Sequence, residues 1–229
     1  MLTRRKEREH TLAEPRTILA QKTALAHQFD DLTQQYEASS LGMWAFLLTE
    51  LMFFGGLFVG YTVYRTAYLA GFIAGSQHLK VLLGTVNTAV LLSSSLTMAL
   101  AVHAAQEGRT RLLSRFVLLT MLLGLVFLGI KGYEYTLEYH EGLVPALKFA
   151  YTGPHAPQVK LFMVFYFVMT SLHALHMLIG LSLLTVLVIL NGRGRFSTAY
   201  HTPVEVIGLY WHFVDIVWIF LYPLLYLVR

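Results

Sequence analysis

Five long apolar runs, at about residues 41–65, 81–104, 112–137, 161–190 and 203–228, constrain this chain more than any other feature. Each meets the length of about 20 residues that a helix needs to cross a hydrocarbon core of about 30 Å. In lipid a helix satisfies its own backbone hydrogen bonds, so every run is expected to be helical. A β-barrel would show alternating strands of about ten residues, and the sequence has no such pattern. The expected architecture is all-α and polytopic. A five-helix transmembrane bundle over 41–229 follows a polar N-terminal tail over 1–40, partly helical.

Composition supports this class. Hydrophobic residues make up 56% of the chain and charged residues 13%, about half the charged share of a soluble domain. There is no cysteine, which excludes disulfides, thiolate metal sites, iron–sulfur clusters and thiol nucleophiles. The net charge of +4 is modest, and its placement reads as membrane topology rather than nucleic-acid binding. The polar first 40 residues carry no cleavable signal pattern, since the apolar run after them is far too long.

Arg and Lys set the orientation. The N-terminal tail, the loop near Arg109, Arg111 and Arg115, and the loop with Arg193 and Arg195 share one side and hold eleven of the 17 basic residues. The positive-inside rule places that side, with the N-terminus, in the cytoplasm and the C-terminus outside. Trp44, Tyr61, Tyr64 and Tyr68 around the first span, and Tyr133, Tyr135 and Tyr139 at the third, read as interfacial rings. Gly55, Gly56, Gly60, the serines 93–95, Gly124, Gly129 and Gly180 read as points of close helix approach. The stretch from Glu138 to Lys160, with three prolines, reads as the largest outer loop.

The informative residues are those that lipid rejects. Glu50, Lys131, Glu134, His173, His176, His212 and Asp215, with Asn87 as a neutral companion, fall inside the runs. Such groups face other helices and mark architecture or function. At 1.5 Å per residue, Glu50, His173 and His212 each lie about 12–13 Å from the N-terminal side. A buried polar network linking Glu50 to a histidine of the fourth or fifth span is therefore expected. His173 and His176 share one helix face. They could bind a metal or haem, but interhelical hydrogen bonding is the favoured reading, because a bundle di-iron site wants Glu-x-x-His on two helices and no run offers it. Lys131 and Glu134, at i and i+3, are expected to form an interfacial pair with Lys131 snorkelling. No phosphate-binding loop or nucleophile elbow is present, and nothing assembles into a catalytic constellation.

Residues 41–54 (LGMWAFLLTELMFF), 87–94 (NTAVLLSS), 124–135 (GLVFLGIKGYEY), Phe165-Tyr166 with 170–176 (TSLHALH) and Gly180, and 210–218 (YWHFVDIVW) resemble, in order, the helices of haem-copper oxidase subunit III. The resemblance covers about residues 28–229 and fits the five-span bacterial form. Lys131 stands where the family commonly has glutamine, and Ser171 and Ala174 stand where it usually has glycines. The resemblance implies an accessory subunit with no catalytic residues and no redox cofactor of its own. Such a subunit packs on subunit I, which with other partner subunits holds the haem and copper. It binds phospholipids in a cleft between helix groups and supports proton uptake during oxygen reduction. It further implies that Glu50 is the family's buried, carbodiimide-reactive carboxyl, and that His173, His176, His212 and Asp215 match the family's intramembrane polar positions. A bacterial plasma-membrane location follows. An accessory subunit of nitric oxide reductase, a stand-alone transporter or channel using Glu50 and the histidines, and a membrane b-type cytochrome are the competing readings.

Overall fold

The structure, a computed structural model, describes residues 27–197 and 200–228. Its helices are α1 (Leu32–Ala67), α2 (Leu69–Gln77), α3 (Val81–Gln106), α4 (Thr110–His140), α5 (Ala156–Gly192) and α6 (Thr202–Tyr226). A hairpin of β1 (Leu143–Val144) and β2 (Lys148–Phe149) lies between α4 and α5. Five of the helices are long and apolar enough to cross a membrane.

The helix ends follow local chemistry. Asp31 caps α1: its carboxylate accepts from the Gln34 N–H at 2.7 Å, and the Gln34 side chain accepts from the Asp30 N–H at 2.7 Å. This reciprocal arrangement satisfies donors that a helix start leaves free. Gly108 and Gly194 take positive φ just past the ends of α3 and α5, a conformation that closes a helix and suits glycine.

Hydrogen bonds at the two ends establish the alternation of the spans. At the end where α1 begins, Gln106 bonds Glu205 at 2.7 Å and Asn191 bonds the Thr110 carbonyl at 2.8 Å. At the opposite end the Tyr61 hydroxyl donates to the Leu224 carbonyl at 2.6 Å, Ser76 donates to Leu225 O at 2.9 Å, and Lys80 pairs with Glu141 at 3.0 Å. These are called below the near and far ends.

The core sits around α6, which packs against α3, α5 and α1, while α3 also lies along α4. Trp211 of α6 anchors this core. Its ring is clamped between Gly124 of α4 and Gly180 of α5, where an added Cβ would lie 2.9 and 3.0 Å from ring carbons, and its indole N–H donates to Ser94 Oγ at 2.9 Å. Helix α1 is the outlier. Only 11% of its apolar stretch is buried, against 28–50% for the other spans. It therefore forms an open edge, and an apolar groove of about 320 Å³ runs between it and α6, lined by Trp44, Leu51, Phe54, Phe58, Phe213 and Phe220 among others.

Several expectations need correction. Helix α1 starts at Leu32, so residues 32–40 continue the first span as one helix; residues 1–26 of the expected tail lie outside the described residues. Helix α4 runs on to His140 and α5 begins at Ala156, which shortens the expected outer loop. Helix α2 was not expected; it packs on α5, with Gly71 against Gln158 and Gly75 against Phe162. Gly55, Gly56 and Gly129 face open space rather than another helix. Tyr61 is wholly buried among Phe72, Phe162 and Phe165 instead of sitting at an interface.

Candidate functional site

The polar residues inside the spans form three separate centres rather than one network. The first joins α1 to α5. Glu50 Oε2 lies 3.1 Å from His176 Nε2, and His176 Nδ1 lies 2.8 Å from the Leu172 carbonyl. The Phe54 ring covers the imidazole edge-on, with centroids 5.3 Å apart, and the Tyr210 hydroxyl donates to His176 O at 3.0 Å. A carbonyl can only accept, so Nδ1 carries a proton, and Nε2 and Glu50 then share one proton between them. The pair is neutral as a unit whichever atom holds that proton, which suits its depth in a span.

The second centre lies nine residues from the far end of α4. Lys131 Nζ donates to Glu134 Oε2 at 2.9 Å, to the Tyr166 hydroxyl at 3.0 Å and to the Tyr226 hydroxyl at 2.7 Å. Tyr226 in turn donates to the Glu134 carboxylate at 2.8 Å. The rings of Tyr166 and Trp218 face the ammonium at 4.7 and 5.2 Å. All three donors of the ammonium are thus used inside the bundle. Lys131 and Glu134 are paired, as their spacing implies, but they are 4% and 1% exposed. The expected interfacial, snorkelling arrangement is therefore incorrect: with partners on α4, α5 and α6, the ammonium has no need to reach water. Glu138, one turn further on, is also buried, beside Lys131 and the Tyr166 hydroxyl, with no hydrogen bond of good geometry.

The third centre lies between α3 and α6. Ser95 Oγ and His212 Nδ1 are 2.8 Å apart. One turn along α6, Asp215 is 3% exposed; Ser95 is its polar neighbour, in a geometry that leaves both carboxyl oxygens without a hydrogen bond.

The remaining expected members are tied to main chain. His173 Nε2 lies 3.1 Å from the Val214 carbonyl, with its ring between Phe127 and Trp218. Asn87 donates to Phe127 O at 3.4 Å. The structure therefore brings Glu50 to His176 and His212 to Ser95 near Asp215, but it joins neither group to His173 or Asn87 by a hydrogen bond among the described residues. Tyr226, Ser95 and Glu138 escaped the sequence reading. A hydroxyl at span depth carries no hydropathy penalty large enough to stand out, and Glu138 lay in the presumed loop.

No group of three or more His, Asp or Glu side chains is placed to hold a metal ion among the described residues. Of the three histidines, His176 has both nitrogens engaged, and His173 and His212 have one each.

Comparison with known proteins adds a specific likeness. The family model described as Cytochrome c oxidase subunit III matches residues 21–228. The chain is 37% identical to the probable cytochrome c oxidase subunit 3 of Nocardia farcinica, over 83% of this chain and 88% of that protein. It is 32% identical to cytochrome c oxidase subunit 3 of Thermostichus vulcanus, over 93% of this chain and 97% of that one. With cytochrome c oxidase subunit 3 of Synechocystis it shares 36% identity over 82% and 74%.

Proposed function

Because the chain belongs to the cytochrome c oxidase subunit III family, we propose that it serves as the accessory, non-redox subunit III of a respiratory haem-copper oxidase. On this reading it packs directly on the catalytic subunit I, stabilises it, and supports proton uptake while oxygen is reduced to water. The observation that carries the proposal is the family match over residues 21–228, which takes in all five spans.

On this reading the redox centres belong to partner subunits. An iron or copper ligand must offer a free nitrogen lone pair, and His176 spends both nitrogens on Leu172 O and Glu50. His173 gives one to Val214 O and encloses the other among Phe127 and Trp218. His176 therefore has no lone pair left for a metal, and the free nitrogen of His173 is closed off by aromatic rings. The groove between α1 and α6 fits phospholipid acyl chains: it is almost wholly apolar, lies on the least buried helix, and is walled by aromatic and aliphatic side chains. On this reading the near end faces the cytoplasm, which the distribution of basic residues supports, and the membrane is a bacterial cytoplasmic one, in keeping with the bacterial relatives.

Purification of the chain from its own membranes in mild detergent, with mass spectrometry of what accompanies it, tests the proposal. Co-elution with an oxidase subunit I and a haem spectrum from that partner is expected. A chain that elutes alone, or that carries haem by itself, would contradict it.

A further inference from the structure

One face of α6 carries Glu205, Gly208, His212 and Asp215 in helical succession, and this stripe leads from the near end into the bundle. From Glu205 to Asp215 the helix rises about 15 Å. A pocket of about 370 Å³ opens over the first part of the stripe, between α1, α3 and α6, with Tyr36, Ser40, Val102, Glu205 and His212 among its walls. A water in the liquid occupies about 30 Å³, so the pocket has space for several. At its mouth Glu205 accepts from Gln106 and faces His201 at 3.3 Å. At its inner wall His212 has Nδ1 on Ser95 and no protein hydrogen bond to Nε2 among the described residues. Behind that wall lies the Asp215 carboxyl, buried and with both oxygens unpartnered.

An isolated carboxylate at this depth is costly unless it takes up a proton or gains a partner. We propose that the pocket is a water-filled proton entry from the near end, and that Ser95 relays protons between His212 and Asp215, which stores them inside the span. The relay balances. A hydronium ion in the pocket gives a proton to His212 Nε2 and is left as water. As the Nδ1–H bond breaks, an O–H bond forms at Ser95. The hydroxyl proton that Ser95 already held passes to the Asp215 carboxylate. Asp215 discharges along the same path in reverse: it returns a proton to Ser95, Ser95 gives its own to Nδ1, and Nε2 releases one to the pocket water, which restores the ring. The titratable groups on the other elements against α6 are engaged elsewhere: Lys131 and Glu134 of α4 hold each other and Tyr226. Glu50 of α1 is engaged with His176 of α5, His173 of α5 with Val214 O, and α2 has no titratable side chain. His103, on α3, is exposed and paired with Glu107. The proposal concerns this chain's own residues and stands apart from its role in an oxidase.

Infrared spectroscopy of the full chain in liposomes tests it. The wild type should show a protonated-carboxyl stretch that Asp215→Asn removes and that shifts promptly in heavy water. Ser95→Ala, and separately His212→Leu, should slow that exchange about a hundredfold, the lower range for a positioned proton-transfer group. Ser95→Thr keeps the hydroxyl and should keep the wild-type rate. The amide bands of the same spectra report whether each variant is folded. A carboxyl band unaffected by Asp215→Asn, or equal exchange rates in wild type, Ser95→Ala and His212→Leu, would overturn the proposal.

Discussion

Glu50 of α1 and His176 of α5 meet at 3.1 Å, and the second nitrogen of the same ring is held 2.8 Å from the Leu172 carbonyl. This contact pins the loosely packed first span to the bundle. A glutamine at position 50 can donate its amide N–H to Nε2, so Glu50→Gln should leave folding and assembly largely intact. His176→Leu instead strands a carboxyl and should cost about 1–3 kcal/mol. Thermal unfolding of both variants in detergent checks this. Equal losses would show that the shared proton is not what holds the pair.

The Lys131 cluster predicts a non-additive pair. Lys131→Met leaves the buried Glu134 carboxyl without its cation and with only the Tyr226 hydroxyl as partner, and should cost about 3–5 kcal/mol. The double variant Lys131→Met, Glu134→Leu should recover part of that loss, since no unpaired charge remains. Unfolding of the two single variants and the double variant, read as a cycle, measures the coupling. A double variant no better than the sum of the singles would contradict it.

Trp211 predicts which glycines matter. Gly180→Leu and Gly124→Leu push against its ring and should destabilise the chain by about 1–3 kcal/mol. Gly129→Leu, on the same helix as Gly124 but facing open space, should be tolerated. Melting temperatures of the three variants decide the point.

Chemical labelling should single out one carboxyl. The Glu50 side chain is 21% exposed on the open helix, whereas Glu134, Glu138 and Asp215 are at most 3% exposed. A hydrophobic carbodiimide entering from lipid should therefore modify Glu50 first. Peptide mass spectrometry after labelling reads the site, and preferential modification of one of the other three would count against the described burial.

The spans were legible because lipid imposes one rule on every residue of a crossing helix, and the run lengths obey it. A contact between Glu50 and a histidine of the fourth or fifth span was expected from depth, but the counted depths matched Glu50 to His173 and His212, whereas its partner is His176, one turn nearer the near end. Azimuth cannot be counted with the same certainty. Lys131 looked interfacial because its distance from the helix end allows snorkelling; its true partners, Tyr166 and Tyr226, lie 35 and 95 residues away. Gly55 and Gly124 look alike in sequence, and only the position of Trp211 separates them. Helix α2 was hidden because nine residues next to a longer apolar run carry no separate signal.

The most direct test of the central claim is the lifetime of the oxidase during turnover, with and without this chain. Oxygen consumption by the purified complex, followed over many turnovers, should decay markedly faster after deletion of the chain, with similar starting rates. Identical lifetimes in its presence and absence would contradict the account.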